Sequence, residues 1–422
     1  MKSLWIQSTG TRLHLDPSTL LRGGEGSVYR LQNEKNTVAK IYHEVIQDRA
    51  NKLNVMIHNP PNDPMATMGH HSIAWPKDLV VNENGMTVGF IMPLAEGSSA
   101  FSYLLPKSRK QQHAHANYRT QIRICRNIAS AIEEIHSNGF AVGDLNMSNI
   151  LVKKNALVTL IDCDSFEIRD PSTGKIYTCR VGIPDYTPPE HQNKNYASFN
   201  GGTKHDAFSM AVLFFQLLME GMHPFSGSYK YGNGEANVAH NIKQKHWTYD
   251  PERKQEYKPR SGSPPFEMLD PHIQKLFIRC FRDGSHDPSI RPTANEWREE
   301  LDTSELYLQS CSENKKHIFG EHLRDCPWCE RKQLLQNINP QKITSHQITK
   351  DRSGSSTPTL QKNPSDGKNM AGAKNSANIL THIWQKVTRF LVQKRKVTTL
   401  NRPIKLVQNQ SKIKKPAKLL WK

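Results

Sequence analysis

Two short aliphatic runs near the middle of the chain, residues 150–152 and 157–161, each meet a polar residue at one end. The first run follows Asn149 in the stretch FAVGDLNMSNILV, in which Asp144 precedes the asparagine by five positions. The second run ends at Asp162 in the stretch TLIDCDSF. Aliphatic runs of this length predict short β-strands. The first strand is expected to orient Asn149, and the second is expected to place Asp162 in the same site.

These three polar residues match what phosphoryl transfer requires of a protein. The reaction needs metal ions that hold the phosphates and a carboxylate that orients the attacking nucleophile. Asp144 is the candidate for accepting the proton of a substrate hydroxyl, and Asn149 and Asp162 are the candidates for binding Mg²⁺. A strand-end carboxylate with no such role is the alternative for Asp162 considered by itself.

A glycine-rich stretch, LRGGEGSVY, lies upstream between strand-like runs. Its glycines would let backbone N–H groups approach phosphates, although glycine-rich hairpins are common and carry little weight alone. Twelve residues beyond Val28 the run VAK places Lys40 on a strand, where a lysine can hold the α and β phosphates. Helical spacing follows at residues 45–57, 115–138, 206–220, 270–282 and 293–303.

Taken in this order, the motifs resemble those of the eukaryotic-type (Hanks-type) protein kinases, over residues 15–303. The stretch GIPDYTPPE is similar to the end of an activation segment, and Glu190 closes it. The stretch KHDAFSMAVLFFQLL resembles the central helix of the C-terminal lobe, in which Asp206 bonds to the catalytic-loop backbone. In DPSIRPTANEW, Arg291 is expected to pair with Glu190. The implied fold is α+β and two-lobed, with a β-rich N-terminal lobe and a helical C-terminal lobe.

The resemblance also implies where ATP and Mg²⁺ bind and what the protein does. ATP is expected between the lobes, and phosphate is expected to pass to a protein hydroxyl, of Ser or Thr. Ala95 is the candidate hinge donor, Leu151 the floor under adenine and Val28 its cap. The full set of expected nucleotide-binding residues is Gly23, Gly24, Gly26, Val28, Ala39, Lys40, Ala95 and Leu151.

Several positions depart from the family pattern. Gly143 replaces the arginine that often anchors a phosphorylated activation loop, so we expect weak dependence on such phosphorylation. Asn146 replaces a lysine that steadies phosphate charge, and no residue near Glu44 or Asp48 is a convincing helix partner for Lys40. Asp164 is expected at the position of a turn glycine.

These departures keep other functions open. A nucleotide-binding pseudokinase that acts as an adaptor remains the main alternative, and a small-molecule kinase is a third, which draws on the stretch GDLNMSN. The retained Asp144, Asn149 and Asp162 favour an active protein kinase.

Three of the seven cysteines lie close together after residue 303. Cys311, Cys326 and Cys329, with His317, offer four donors of the kind that suit tetrahedral structural Zn²⁺, while His322 competes with His317 for the fourth place. We therefore predict a zinc-ribbon-like module at 304–333. The closer resemblance is to bacterial kinase-like proteins with such a ribbon, which implies a metal-dependent phosphatase and a von Willebrand A protein as partners.

The formal charge of +18 is concentrated after residue 333. Residues 334–422 contain 18 Lys and Arg but only two Asp, a net charge of +16. We predict a disordered linker at 334–376 and a basic tail at 377–422 with an amphipathic helix at 379–397. Such a tail can contact nucleic acid or anionic membrane, or have no specific partner. The chain shows no apolar run of signal-peptide or membrane-span length, which predicts a cytoplasmic protein.

Overall fold

The first part of the chain is built around one antiparallel sheet, seen here in a computed structural model that describes residues 3–232, 237–260 and 262–338. The sheet strands are β1 (Leu4–Ile6), β2 (Leu15–Arg22), β3 (Gly26–Leu31), β4 (Thr37–Tyr42), β5 (Asp78–Asn82) and β6 (Thr87–Pro93), with helix α1 (Gln47–His58) between β4 and β5. They are ordered β1-β5-β6-β4-β3-β2. The sheet therefore begins at Leu4, earlier than the boundary at residue 15 predicted from the sequence.

Strand β4 separates two apolar clusters. Alternate residues of a strand point to opposite faces of the sheet. Val38 and Tyr42 pack in the large cluster that continues into the second part of the chain, whereas Ala39 packs in a smaller cluster on the other face. Lys40 is two residues from both Val38 and Tyr42, so its side chain lies on the same face of the sheet as theirs. This is the face that packs against the second part of the chain.

A small second sheet joins the two parts. It consists of β7 (Ser98–Ser99), β8 (Ile150–Val152) and β9 (Val158–Leu160), in that order, and the two strands predicted from the aliphatic runs are β8 and β9. Directly after β9, the Ile161 N–H donates to the Asn149 carbonyl at 2.9 Å. This bond holds Ile161, which precedes Asp162, beside Asn149, which precedes β8.

The second part is mainly helical. Its described helices are α2 (Pro106–Gln112), α3 (Tyr118–Ser137), α4 (Gly202–Leu218), α5 (Val238–Lys243), α6 (Pro271–Phe281), α7 (Ala294–Leu306) and α8 (Pro327–Ile338). Short strand pairs lie between them: β10 (Ile168–Arg169) with β11 (Ile176–Tyr177), β12 (Gly227–Tyr229) with β13 (Tyr257–Pro259), and β14 (Leu308–Ser310) with β15 (Ile318–Gly320).

Helices α3 and α4 show why these segments are helical. A capping box formed by Asn117 and Thr120 starts α3, which buries an apolar face. Helix α4 is buried on nearly all sides, as its continuous apolar sequence requires. Aromatic rings fill the space around it, and the Trp297 ring of α7 lies 5.3 Å from Phe214 and 4.8 Å from Phe277.

An ion pair between a buried arginine and a partly buried glutamate joins the segment before α4 to the turn before α7. Arg291 donates from its two terminal nitrogens to the Glu190 carboxylate at 2.7 and 2.8 Å, so the pairing predicted from the sequence is confirmed. The Arg291 side chain has no exposed surface. It also donates to the carbonyls of Gly284 and Lys204, at 2.9 and 3.0 Å. Each of the three guanidinium nitrogens therefore donates at least one hydrogen bond although the side chain is buried.

The predicted boundaries after residue 303 are shifted by the helices. Helix α7 continues to Leu306, and α8 continues to Ile338, so the first residues of the predicted linker at 334–376 are helical. The rest of that linker, the basic tail and its amphipathic helix lie outside the described residues. Among the residues that are described, no helix is both long enough and apolar enough to cross a membrane.

Removal of Arg291 should destabilise the fold strongly. The substitution Arg291→Met leaves Glu190 partly buried without a cation, and we expect a loss of about 3–5 kcal/mol in the free energy of unfolding, measured by urea denaturation. The control is Arg279→Met, because Arg279 and its partner Glu296 are both about a third exposed, and its loss should stay below about 1 kcal/mol.

The same pair should make stability depend on pH. Burial acts to raise the pKa of Glu190, but the hydrogen bonds and charge of Arg291 outweigh it and hold that pKa below its ordinary 4.5. A carboxylate with a lowered pKa contributes stability above its ordinary pKa and loses it as the pH falls. The stability gap between wild type and Arg291→Met should therefore narrow below about pH 4.5. A gap that stays constant down to pH 3 would contradict this account.

Candidate active site

The loop that carries Asp144, residues 140–149, is held by a buried carboxylate. Asp206 of α4 accepts hydrogen bonds from the backbone N–H groups of Val142 and Gly143 at 2.6 and 2.8 Å. It also accepts one from His136 at 2.9 Å, and its side chain has no exposed surface. The sequence prediction that Asp206 bonds to this loop is confirmed. His136 thus packs behind the loop and supports it through Asp206.

Two asparagines orient Asp144. Asn146 donates from its amide nitrogen to the Asp144 carboxylate at 3.0 Å and to the Asp144 carbonyl at 3.1 Å. Asn149 donates to the same carbonyl at 3.0 Å. The Asn149 amide oxygen lies 3.5 Å from the Ser148 hydroxyl, too far for a strong hydrogen bond, and is available as a metal ligand. Asn146 therefore does not supply a positive charge here, but it holds the carboxylate in place.

Lys40 meets two carboxylates from the turn after β9. Its Nζ lies 2.9 Å from Asp162 Oδ1 and 2.6 Å from Asp164 Oδ1. The Asp162 side chain is 56% exposed and that of Asp164 only 5%. Asp162 has a left-handed φ of 61° and precedes a single 3-10 turn at 163–165. The structure thus brings together Lys40, Asp162 and, unexpectedly, Asp164.

Burial and ion pairing oppose each other at this cluster. Burial acts to lower the pKa of Lys40, but the charges of Asp164 and Asp162 outweigh it and raise that pKa. Burial likewise acts to raise the pKa of Asp164, and the charge and hydrogen bond of Lys40 lower it instead. Both groups therefore stay ionised at neutral pH. Lys52, which is also buried, has its pKa lowered by burial to about 8.

Sequence reasoning placed Asp164 only at the position of a turn glycine, and its pairing with Lys40 was missed. Its second carboxylate oxygen accepts a hydrogen bond from the Tyr42 hydroxyl at 2.9 Å. Tyr42 and Lys40 are two residues apart on β4 and share one face. The sequence signal that could have indicated this pairing is the combination of two motifs, KIY in β4 and DCD after β9. In the chain, Lys40 and Asp162 are 122 residues apart.

Helix α1 presents a lysine to the turn that carries Asp164. Lys52 is buried and donates to the backbone carbonyl of Asp164 at 2.8 Å. Asp48, considered in the sequence as a partner for Lys40, instead pairs with Lys175 at 3.0 Å and Arg180 at 3.3 Å. These contacts tie α1 to the segment after β10.

The predicted phosphate loop is the hairpin between β2 and β3. The Gly23 N–H donates to the Gly26 carbonyl at 2.8 Å, and Gly24 lies between them. A Cβ on Gly26 would lie 2.6 Å from the Ile41 carbonyl oxygen, so this glycine lets β3 and β4 approach each other. That packing reason exists whether or not the loop also binds phosphate.

The predicted adenine site needs one correction. Val28 is half-buried against the large cluster and is paired across the strands with Lys40. Ala39 points to the opposite face and is fully buried there, so it cannot line the same space, and Val38 occupies the face of Lys40 instead. Leu151 is half-buried on β8, and Ala95 lies on the connection from β6 to β7.

Gly143 is required by its backbone and by a neighbour. It has a left-handed φ of 75°, and a Cβ at this position would lie 2.4 Å from the Cβ of Cys179. Cys179 is buried, and burial raises the pKa of its thiol to about 12. The segment after β11 therefore packs directly on the Asp144 loop, in the space that a side chain on residue 143 would need.

The late cysteines and one histidine form a compact cluster. Atoms of Cys311, His317, Cys326 and Cys329 that can bind a metal all lie within 4.8 Å of one another. The sulfur atoms of Cys311 and Cys329 lie 3.8 Å apart, and His317 Nδ1 lies 3.6 Å from the Cys326 sulfur and 3.5 Å from the Cys329 sulfur. Three thiols and one imidazole form a donor set that suits tetrahedral Zn²⁺. His322 lies outside the cluster, with its Nε2 3.3 Å from the Glu267 carbonyl.

The module that contains this cluster, residues 308–338, is attached to the helical part. The Trp328 ring lies 5.5 Å from the Tyr118 ring, and the Trp328 N–H donates to the Ile318 carbonyl at 2.7 Å. Arg331 pairs with the buried Glu220 at 3.2 Å. Through Trp328, the module rests on the start of α3.

Comparisons with known proteins agree with this geometry. A family model described as the protein kinase domain matches residues 18–300. The chain is 32% identical over 323 residues to protein kinase YegI of Escherichia coli strain K12, which covers 73% of this chain and 47% of that protein. It spans about half the length of this relative and of YegI from strain O157:H7.

More distant proteins are also similar. Calcium-dependent protein kinase 7 of Oryza sativa subsp. japonica is 29% identical over 188 residues, or 44% of this chain and 30% of that protein. Among solved structures, the ROP18 kinase domain in complex with AMP-PNP and sucrose has a TM-score of 0.46 at 15% identity, covering 72% of this chain and 84% of that one.

A side chain at position 143 should lower the stability of the fold more than a side chain at another glycine with a left-handed φ. Gly139 has a φ of 73°, close to that of Gly143, but a Cβ there meets nothing within 4 Å. We expect Gly139→Ala to cost about 1–2 kcal/mol of stability through backbone strain, and Gly143→Ala to cost about 1–3 kcal/mol more through the clash with Cys179. Urea denaturation of both variants measures the difference. Cys179→Gly should recover part of the loss in Gly143→Ala, and equal losses in the two single variants would refute the clash.

Proposed function

Because the chain belongs to the protein kinase family, we propose that it transfers the γ-phosphoryl group of ATP to a protein hydroxyl, of Ser or Thr, with the help of Mg²⁺. The single observation that carries the proposal is the arrangement of Lys40, Asp144, Asn149 and Asp162. Lys40 is held on β4, and the loop and the turn that carry the other three residues are fixed by Asp206 and by the bond between Ile161 and Asn149.

The donors present suit the proposed cofactors. Mg²⁺ prefers oxygen ligands, and the Asn149 amide oxygen and the exposed Asp162 carboxylate would hold it. Lys40, which stays charged, would bind phosphate oxygens. Val28, Val38 and Leu151 would enclose the adenine, with Ala95 as a backbone donor. When bound, ATP supplies the phosphoryl group and Mg²⁺ neutralises its charge.

Asp144 would act on the acceptor. Its carboxylate is held by Asn146 on one oxygen and approached by Asn149 at 3.4 Å on the other. A carboxylate fixed in this way can orient the hydroxyl of a substrate side chain and accept its proton. Asn146 contributes by position alone, because a neutral amide does not offset phosphate charge.

A second candidate is a nucleotide-binding pseudokinase that acts as an adaptor. It is favoured by Asn146 in place of a lysine and by Lys52 as the buried charge of α1. In that case the module at 308–338 would supply the binding surface. The two candidates differ in whether phosphate leaves the nucleotide.

Asp162→Asn should separate them. The substitution keeps the size of the side chain but removes the charged metal ligand, so we expect phosphate transfer to fall by about a hundredfold or more. The measurement is incorporation of labelled phosphate from γ-labelled ATP with Mg²⁺ into the chain itself and into casein, followed by analysis of the labelled amino acid. The control is Asp302→Asn on the exposed side of α7, which should match wild type.

Each other result has a meaning. Nucleotide binding by wild type without labelled protein would support the pseudokinase instead. A labelled small product would support a small-molecule kinase. Equal transfer by wild type and Asp162→Asn would remove Asp162 from the proposed metal site.

We also propose that the cysteine and histidine cluster holds one structural Zn²⁺. All four ligand positions are supplied by the protein, so none is left for a reacting water. Metal analysis of the purified chain should give about one zinc per molecule. The double variant Cys326→Ser, Cys329→Ser should lose it and melt at a lower temperature, whereas Cys163→Ala, far from the cluster, should keep it. Zinc-free protein that melts like the wild type would reject this assignment.

A further inference from the structure

The buried lysine that is proposed to hold phosphate receives its carboxylate partner from an unexpected element. Helix α1 contains a single acidic residue, Asp48, and its contacts are with Lys175 and Arg180 rather than with Lys40. The residue that α1 buries toward the site is Lys52. Within the described residues, the carboxylates that contact Lys40 are Asp162 and Asp164.

These two carboxylates differ in how they are held. Asp164 is almost fully buried, and both of its oxygens are used by β4, one by Lys40 at 2.6 Å and one by Tyr42 at 2.9 Å. Asp162 is more than half exposed and contacts Lys40 at 2.9 Å through one oxygen. Asp162 can therefore turn to a metal ion without leaving Lys40 unpaired, because Asp164 stays in place.

We propose that Asp164 is the positioning residue for Lys40, in the role that a helix carboxylate would otherwise fill. Only Cys163 separates it from the proposed metal ligand, Asp162, so one 3-10 turn supports both the lysine and the metal site. Lys52 supports the turn from behind through the Asp164 carbonyl. The inference rests on the proposed function, since it concerns how Lys40 is aimed at phosphate.

This arrangement changes what controls the site. When a helix supplies the carboxylate, a movement of the helix breaks the ion pair with the lysine. Here the ion pair lies between β4 and the turn after β9. Helix α1 contributes a bond from Lys52 to a backbone carbonyl and the stacking of Arg49 on Tyr42, but no carboxylate. The aim of Lys40 therefore depends on the conformation of the turn at 163–165 and not on a carboxylate of α1.

The test compares two acidic residues. Asp164→Asn keeps the shape of the side chain and removes its charge, and Asp48→Asn removes the only carboxylate of α1. The affinity of the full chain for a non-hydrolysable ATP analogue with Mg²⁺ is measured for each. We expect Asp164→Asn to weaken binding by roughly tenfold, the effect of losing one charged hydrogen bond, and Asp48→Asn to stay within about twofold of wild type.

A double-mutant cycle shows whether Asp164 acts through Lys40. In a Lys40→Met background, Asp164→Asn should weaken the analogue by less than about twofold, because the group that it positions is already absent. A merely structural effect of Asp164 would persist in that background. Asp164→Glu, which keeps the charge, should bind more tightly than Asp164→Asn. If Asp164→Asn does not fold, Asp164→Ser, which also removes the charge, takes its place in the cycle.

The outcomes that overturn the inference are distinct from failure of the proposed function. Unchanged binding in folded Asp164→Asn, a larger loss in Asp48→Asn, or an equal loss in the Lys40→Met background would each reject the role of Asp164. Binding that follows our expectation in a chain that transfers no phosphate would retain the role of Asp164 and reject the kinase activity alone.

Discussion

The Asp206 carboxylate is the interaction on which the rest of the site depends. A carboxylate without exposed surface is costly unless hydrogen bonds satisfy it. Three donors do so here, the backbone N–H groups of Val142 and Gly143 and the His136 ring. Because Asp206 belongs to the most deeply buried helix, the loop with Asp144 is attached to the rigid centre of the helical part. The positions of Asp144 and Asn149 therefore depend on that attachment.

The site is then completed by charges that oppose burial. Lys40 and Asp164 are both nearly buried, and each stays ionised because the other is 2.6 Å away. Their pairing leaves the exposed Asp162 as the group whose contacts can change. Asp164 therefore has a fixed structural role, whereas Asp162 is able to exchange its contact with Lys40 for another.

The unusual residues of this chain are consistent with one another. Gly143 lacks the side chain that could anchor a phosphate, and Cys179 packs into that space instead. Asp48 binds Lys175 and Arg180, so the segment after β10 is held by ordinary ion pairs and by packing. At these two places, a departure from the common pattern is matched by a contact within the fold.

The sequence by itself determined the order of motifs and the helices and strands that carry them. These follow from local patterns, since periodicity, turn residues and fixed spacing can be read without knowledge of the tertiary fold. The pairing of Arg291 with Glu190 was implied by the resemblance to the protein kinases and not by any local pattern. The sequence also indicated the four donors of the late cluster. The tertiary structure decided the partner of Lys40, the face on which Ala39 lies and the reason for Gly143. These features depend on which strands and turns come into contact although they are more than thirty residues apart in the chain, as Gly143 and Cys179 are. They also depend on whether the space between the contacting segments admits a side chain.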